Sequence, residues 1–392
     1  MRALAAAVSR IVDVEAIHLR ATVETDSLDG SSETVVVRVV DEDGRSGIGE
    51  ADAPGAVVRE LVEMDDLHAL SRGLRGILLG RDPFELGALH DDLSGGTIYH
   101  GRRGIGVHAL SAVDIALHDL VGRQLCRPVY HLLGGARRDV VTPYATIYAG
   151  PVRGRTIGQM MDDLALRFER ALALGFRAVK MEALLEDLVT DRELVGCIRE
   201  GRRLLGDGVT MMVDFGYRWR DWRDALWTLN RLEDCDLFFA EATLQHDDLA
   251  GHAKLATRVE TRVGGAEFAA TAAECHEWLE HGRIDVVQAD ISRCGGLREI
   301  RRIADLSAGY GAVVVPHGWK TGINCAAARH FQAATVNAPY IEMFHPALYD
   351  SPLRAQLTGP EPALVDGTIP LPHEPGLGVE LDPDTVTRYR VA

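Results

Sequence analysis

An acid and a histidine, Asp290 and His317, each close a short apolar run: Val286-Val287-Gln288-Ala289-Asp290 and Ala312-Val313-Val314-Val315-Pro316-His317. A carboxylate on one imidazole nitrogen fixes the tautomer and leaves the other nitrogen free to take a proton, so such a pair is a candidate general base. Both runs have the length and β-branched content of buried parallel strands. The segment between them, Gly296 to Gly311, carries helical spacing in Leu297, Ile300, Ile303 and Leu306. In a parallel α/β sheet or barrel the carboxyl ends of neighbouring strands converge on one face, which would let Asp290 and His317 touch.

Other strand ends are charged where a purely structural core would not be. Lys180 and Glu182, two positions apart, share one face of a strand. Asp214, Glu241 and Glu267 close three further apolar runs. Taken singly, a strand-end acid also serves as a helix N-cap or in a rim salt bridge. Three of them on consecutive strands would repel strongly if buried together, and the plainest compensation is a divalent cation. Hard oxygen ligands with room for water or substrate favour Mg²⁺, with Mn²⁺ the close rival. The plainer alternative for Lys180 is an ion pair with Glu182 or Asp214. For His317 it is a satisfied core histidine, against which the partner run ending in Asp290 argues.

The elements that must position these residues follow from the pattern. After Arg138, strand and helix alternate strictly. Strand candidates are Pro143 to Tyr148, Ala178 to Glu182, Thr210 to Asp214, Leu237 to Glu241, Arg262 to Glu267, Asp285 to Asp290, Ala312 to His317 and Tyr340 to Phe344, with amphipathic stretches such as Met160 to Leu174 and Arg192 to Leu205 between them. A spacing of roughly 25–30 residues per unit fits a (β/α)₈ barrel. Before Arg138 the texture is α+β: strands at Ile17 to Leu19, Thr34 to Val40 and Ser46 to Glu50, then helices, among them Gly104 to Leu120. The expected organisation is an α/β chain with an α+β capping domain at 1–137, a modified barrel at 138–358, and a Pro- and Gly-rich tail at 359–392 that returns to the cap. The polar loop Glu24 to Ser32 and the segment Ala51 to Val58 are candidate lids that would set substrate choice.

With 42 Lys and Arg against 58 Asp and Glu, the net charge of −16 disfavours nucleic acid and anionic membrane as partners. Six scattered cysteines without a C-x-x-C pattern read as reduced thiols of a cytoplasmic protein. Met1 to Ser9 is too short for a signal segment, and no apolar run of about 18 residues is expected to span a membrane.

The ordered set Lys180-x-Glu182, Val213-Asp214, Ala240-Glu241, Gly265-Ala266-Glu267, Gln288-x-Asp290 and Val315-Pro316-His317-Gly318-Trp319, with Glu342 beyond, resembles the enolase superfamily and, through its His-Asp pair, the mandelate racemase subgroup. The resemblance extends to Gly101-Arg102-Arg103-Gly104, Leu132-Leu133-Gly134-Gly135, Ser292-Arg293-Cys294-Gly295-Gly296 and Pro375-Gly376-Leu377-Gly378, and so covers nearly the whole chain. It implies Mg²⁺ held by Asp214, Glu241 and Glu267, and removal of a proton next to a substrate carboxylate, with His317 as base and Lys180 facing the developing charge. It also implies that Glu342 hydrogen-bonds the substrate carboxylate in its enediolate form, which requires a protonated Glu342. His100, Arg102 and Arg103 could reach the site but are expected to hold the domain interface.

The chain departs from that pattern at Glu182, where many members carry a second lysine that works on the opposite face of the substrate. Racemisation needs a proton donor on each face, so the substitution favours a reaction in which one histidine suffices. Phe215-Gly216 and Ala242-Thr243 also differ from the residues common after the first and second ligands. The expected activity is dehydration of a sugar acid to a 2-keto-3-deoxy acid, with Glu182 as a partner of Lys180 or a reader of substrate hydroxyls. A racemase or epimerase and a non-catalytic metal-binding relative are the alternatives. A small-molecule carboxylate is the expected partner, and association into a homo-oligomer is expected because such barrels commonly associate.

Overall fold

The computed structural model describes residues 9–21, 32–150, 154–183 and 189–391. The chain begins with an antiparallel sheet of β1 (Ile11–Arg20), β2 (Glu33–Asp41) and β3 (Ser46–Ala51) in that spatial order. The loop Glu24 to Ser32, read as a lid, lies outside the described residues except for Ser32. Four helices follow: α1 (Gly55–Glu63), α2 (Leu74–Leu78), α3 (Leu86–Gly96) and α4 (Ile105–Gln124). Helix α4 lies directly on β3. A Cβ at Gly47 would sit 2.1 Å from the Ala116 carbonyl oxygen and one at Gly49 1.9 Å from that of Ala112, so only glycine admits the helix so close.

Among the described residues α4 is the helix with the length and composition to cross a membrane, with 20 residues and a mean hydropathy of 1.3 over its most apolar window. That window is 83% buried inside the protein. Its apolar surface is already used against β2, β3, α1 and α3, as expected of a core helix.

The barrel follows, introduced by β4 (Val140–Val141). Its strands are β5 (Pro143–Ile147), β6 (Ala178–Glu182), β7 (Thr210–Asp214), β8 (Leu237–Glu241), β9 (Arg262–Gly265), β10 (Val286–Val287), β11 (Val313–Val314) and β12 (Ile341–Glu342). They are joined in turn by α5 (Ile157–Ala173), α6 (Asp191–Leu205), α7 (Trp222–Leu229), α8 (Leu249–Ala256), α9 (Ala272–Glu277), α10 (Gly296–Gly309) and α11 (Gly322–Ala334), and α12 (Pro352–Gln356) follows the last strand. The eight strands form one parallel sheet in the order β11-β10-β9-β8-β7-β6-β5-β12. The sheet curls so that β11 and β12 face each other, and Val314 N donates to Asn337 O across that seam at 2.9 Å. This is the (β/α)₈-type barrel with its α+β cap that the sequence leads one to expect.

Side-chain alternation fixes what points inward. Tyr144, Ala178, Met212, Phe239, Val286 and Val315 form one buried cluster that fills the barrel. Two residues further along the same strands come Thr146, Lys180, Asp214, Glu241, Gln288 and His317, so the interior changes from apolar to polar within one layer. The last three strands are shorter than the sequence suggests. Beyond the ladders the chain keeps single bonds, Val315 N to Val287 O at 3.0 Å and His317 N to Gln288 O at 3.2 Å, while the Asp290 and His317 side chains meet and Glu342 accepts from Gly318 N. The tail adds β13 (Ile369–Pro370), antiparallel to β4, and α13 (Pro383–Tyr389). It runs back onto the cap, where Leu377 N meets Asp119 Oδ1 at 2.7 Å and Val391 N meets His18 O at 2.9 Å.

Candidate active site and metal centre

His317 Nδ1 lies 2.7 Å from Asp290 Oδ2. Asp290 is fully buried, and its other oxygen accepts from Ser292 N at 2.7 Å, Ser292 Oγ at 2.6 Å and Asn324 Nδ2 at 3.1 Å. Burial opposes ionisation of this carboxyl, but the His317 hydrogen bond, His317 and Arg293 together hold it well below the usual carboxylate range. For His317, burial and the nearby Arg293 work against a proton, and the Asp290 hydrogen bond with the charges of Glu342 and Glu267 more than offsets them, raising it to about 9. The carboxylate fixes a proton on Nδ1, so that in the neutral ring Nε2 is the nitrogen left to accept one.

Lys180 is buried and reaches Glu241 Oε2 at 2.7 Å and Glu342 Oε1 at 3.0 Å. Burial alone would strip its proton, and these carboxylates hold it firmly in place. Glu342 also accepts from Gly318 N at 2.9 Å and from Thr146 Oγ1. Although burial favours the neutral acid, Lys180 and His317 keep Glu342 below the usual range. A protonated Glu342 is therefore not what this arrangement sets up, because barrel closure between β12 and β5 seats it on the ammonium. The ion pair read for Lys180 is likewise with Glu241 and Glu342 rather than with Glu182 or Asp214.

Negative charge accumulates on the adjacent rim. Burial and the charge of Asp214 push half-buried Glu182 up to about 8. Burial also pushes Glu241 up to about 8 against the pull of Lys180, with Asp214 and Glu342 adding to the rise. Asp214 is raised by burial and by Glu267, Lys180 opposing. In this arrangement Asp214 Oδ1 accepts from Gly216 N at 2.8 Å and Glu267 Oε1 from the Tyr217 hydroxyl at 2.5 Å. Glu241 Oε1, however, is buried with no hydrogen-bond partner. A buried carboxylate oxygen without a donor, among acids that one ammonium does not balance, fits a hard divalent cation.

Among the described residues, the trio of acids and histidine with ligand-type atoms within 4.8 Å of one another is Asp52, Asp290 and His317. That trio is already matched by protein cations. Asp52 pairs with Arg293 Nη2 at 2.5 Å and Lys320 Nζ at 3.0 Å, and these hold it below its ordinary value in spite of burial. Glu241 and Glu267 also have cationic neighbours, Lys180 at 2.7 Å and Arg293 at 3.7 Å, so what distinguishes the rim is the unpartnered Glu241 oxygen.

Several residues around the site carry no role that the sequence assigns them, although Arg293 and Trp319 stand in motifs that carry the family resemblance. Asp52 follows β3 of the cap, and its sole local signal is that an acid closes a strand. Arg293 stands between Asp52, Glu267 (3.7 Å) and Asp290 (4.0 Å). Lys320, three residues past His317, also donates to Glu33 O at 3.1 Å. Glu50 of β3 accepts from Thr34 Oγ1 at 2.5 Å, Thr321 Oγ1 at 2.8 Å and Asn324 N at 3.1 Å, capping α11. Trp319 stacks on Phe344 with centroids 4.3 Å apart and meets Tyr148 and Tyr349 edge-on, forming an aromatic wall. Arg103 pairs across the domain interface with Glu277 of α9 at 2.8 Å, whereas His100 bonds Arg72 O within the cap at 3.3 Å.

Left-handed backbone recurs at this rim. Tyr217, Ala242 and Ala266 have φ of 59°, 47° and 74°. Each costs on the order of 1–3 kcal/mol and persists where surrounding contacts impose it.

Residues 11–134 match the family described as "Mandelate racemase / muconate lactonizing enzyme, N-terminal domain", and residues 163–385 that described as "Enolase C-terminal domain-like". The chain is 30% identical over 360 residues to an arabinonate dehydratase of Saccharolobus solfataricus, covering 91% of each chain. It is 31% identical over 373 residues to a 3,6-anhydro-alpha-L-galactonate cycloisomerase of Streptomyces coelicolor, covering 94% of this chain and 95% of the relative. The crystal structure of a racemase from Streptomyces coelicolor A3(2) with bound magnesium superposes with a TM-score of 0.82 at 28% identity, over 97% of this chain and 100% of that one. With both of its folded units matched, this chain belongs to the enolase superfamily, in its mandelate racemase / muconate lactonizing enzyme group.

Proposed function

We propose that the protein removes the proton α to the carboxylate of a sugar acid and then eliminates the β-hydroxyl, giving a 2-keto-3-deoxy acid. The observation that carries this reading is a one-sided base. His317, fixed by Asp290, supplies an imidazole on one face, while the position that would serve the other face is the carboxyl Glu182. Nε2 of His317 takes the α-proton, and Nδ1–H stays on Asp290 so that the imidazolium is stabilised as it forms. Lys180, kept protonated by its carboxylate neighbours, faces the negative charge that develops on the substrate carboxylate. The imidazolium returns its proton to the departing β-hydroxyl, which leaves as water. The enol so formed tautomerises to the 2-keto acid.

Asp214, Glu241 and Glu267 would hold Mg²⁺, with Mn²⁺ the rival. When bound, such an ion supplies Lewis-acid stabilisation of the enediolate oxygens. The magnesium in the related racemase structure and the unpartnered Glu241 oxygen both support this assignment. Glu182, close enough to feel Lys180 and Asp214, reads substrate hydroxyls. The dehydratase relative supports elimination.

Incubating the Mg²⁺-loaded enzyme with a library of sugar acids in D₂O tests the reading. Formation of 2-keto acid is expected. Deuterium in recovered substrate without any 2-keto acid would instead indicate a racemase or epimerase, which the racemase and cycloisomerase relatives favour. Neither product nor exchange across the library, with metal bound, would indicate a chain that has lost its chemistry.

A further inference from the structure

We infer that Tyr217 is a positioning residue that orients Glu267 for a divalent cation, an inference that rests on the reading of Asp214, Glu241 and Glu267 as its ligands. Tyr217 spans the ends of three strands. It follows Asp214 of β7 by three residues, and its backbone N donates to Ala242 O, just past β8, at 2.5 Å. Its carbonyl accepts from Gln245 Nε2 at 2.5 Å, and its hydroxyl donates to Glu267 Oε1, just past β9, at 2.5 Å. The ring stacks on Phe268, the residue after Glu267, with centroids 5.8 Å apart and planes at 28°. Through its backbone and its side chain together, this one residue is tied to the segments that carry all three acids.

The backbone gives the second line of support. Tyr217 has φ of 59°, a left-handed conformation that a bulky side chain rarely adopts and that glycine or asparagine would accept more easily. A tyrosine that only fills space has no need of that conformation. Here it aims the phenol at one oxygen of Glu267 and leaves Oε2 uncommitted to it, 3.4 Å from His317 Nε2 and 3.7 Å from Arg293 Nη1. The phenol therefore fixes the orientation of the Glu267 carboxylate, as outer partners of metal ligands do.

The test titrates the full-length, chelator-stripped protein with Mn²⁺ and follows free Mn²⁺ by electron paramagnetic resonance, for the parent, Tyr217→Phe, Tyr217→Asn and Glu267→Gln. Near-UV circular dichroism checks the fold of each. Tyr217→Phe keeps the ring and removes the hydroxyl, and is expected to weaken Mn²⁺ binding about 10–100-fold with an unchanged spectrum. Tyr217→Asn suits the left-handed backbone and is expected to show a similar loss, which separates the lost phenol from strain or misfolding. Mn²⁺ affinity within about twofold of the parent in both variants would overturn the inference. If Glu267→Gln binds as the parent does, or the parent takes up no Mn²⁺, the ligand assignment itself is overturned and the inference with it.

Discussion

Replacing Asp290 by asparagine changes one atom of a fully buried side chain and should remove most of the activity. The carboxylate accepts four hydrogen bonds: three on Oδ1, from Ser292 N, Ser292 Oγ and Asn324 Nδ2, and one on Oδ2, from His317 Nδ1 at 2.7 Å. An asparagine must choose which side keeps its oxygen. Turning the amide nitrogen toward Ser292 and Asn324 would set donors against donors at two contacts, Ser292 N and Asn324 Nδ2, each worth about 1 kcal/mol when satisfied and more when buried and broken. The oxygen therefore stays on that side and the NH₂ faces His317. Nδ1 must then accept, the ring proton moves to Nε2, and the nitrogen that should take the α-proton is blocked. A misplaced tautomer of this kind lowers turnover by on the order of 10³–10⁴-fold. The loss would be read as the rate of solvent deuterium entering the α-position, and ¹⁵N NMR of the histidines would show the tautomer directly. Exchange within about tenfold of the parent, with His317 still protonated on Nδ1, would refute the assignment of the dyad as base.

Three further outcomes are expected. Glu182→Gln should keep 2-keto acid formation within about tenfold of the parent if Glu182 reads hydroxyls, whereas a second base would show a loss of about 10²–10⁴-fold in steady-state turnover. Lys320→Met removes the tie from the barrel to Asp52 and Glu33, and should raise KM by on the order of tenfold while changing kcat little, as steady-state kinetics would show. Burial lowers His330 to about 3, and its Nδ1 accepts from Tyr130 N while Nε2 faces Leu377 O. Below its ordinary value of about 6.5 the unfolded chain binds a proton that the folded one does not, so stability should fall as pH drops from about 6.5 toward 3, at about 1.4 kcal/mol per pH unit for this group. Denaturant unfolding at pH 7 and pH 5 would show that fall, and His330→Gln should remove one proton's worth of its slope.

What the sequence makes legible is what period and position encode. Alternation along a strand is enough to put Lys180 with Glu182 and to turn Asp290 and His317 inward, because side-chain parity is local. The partners that hold these residues are set by packing between distant segments. Asp52 and Arg293 meet across the cap and the barrel, and no periodicity in either segment announces the other. Glu342 shows the same limit, since its ion pair with Lys180 depends on β12 closing onto β5. Tyr217 was hidden for another reason: a left-handed tyrosine contradicts local preference, so its conformation is imposed by neighbours the local sequence does not name.

Glu50 bears on how separable the two folded units are. It belongs to the cap, yet it caps the helix after His317, and Asn324 of that helix donates to Asp290. The support of the Asp290–His317 pair therefore includes a residue the barrel does not encode. A graft that exchanged the cap for that of a relative would need to bring an acid at this position, or the new specificity would arrive with a loosened dyad. The cap thus carries a requirement set by the barrel beneath it, and the two units are expected to diverge together rather than to be shuffled independently.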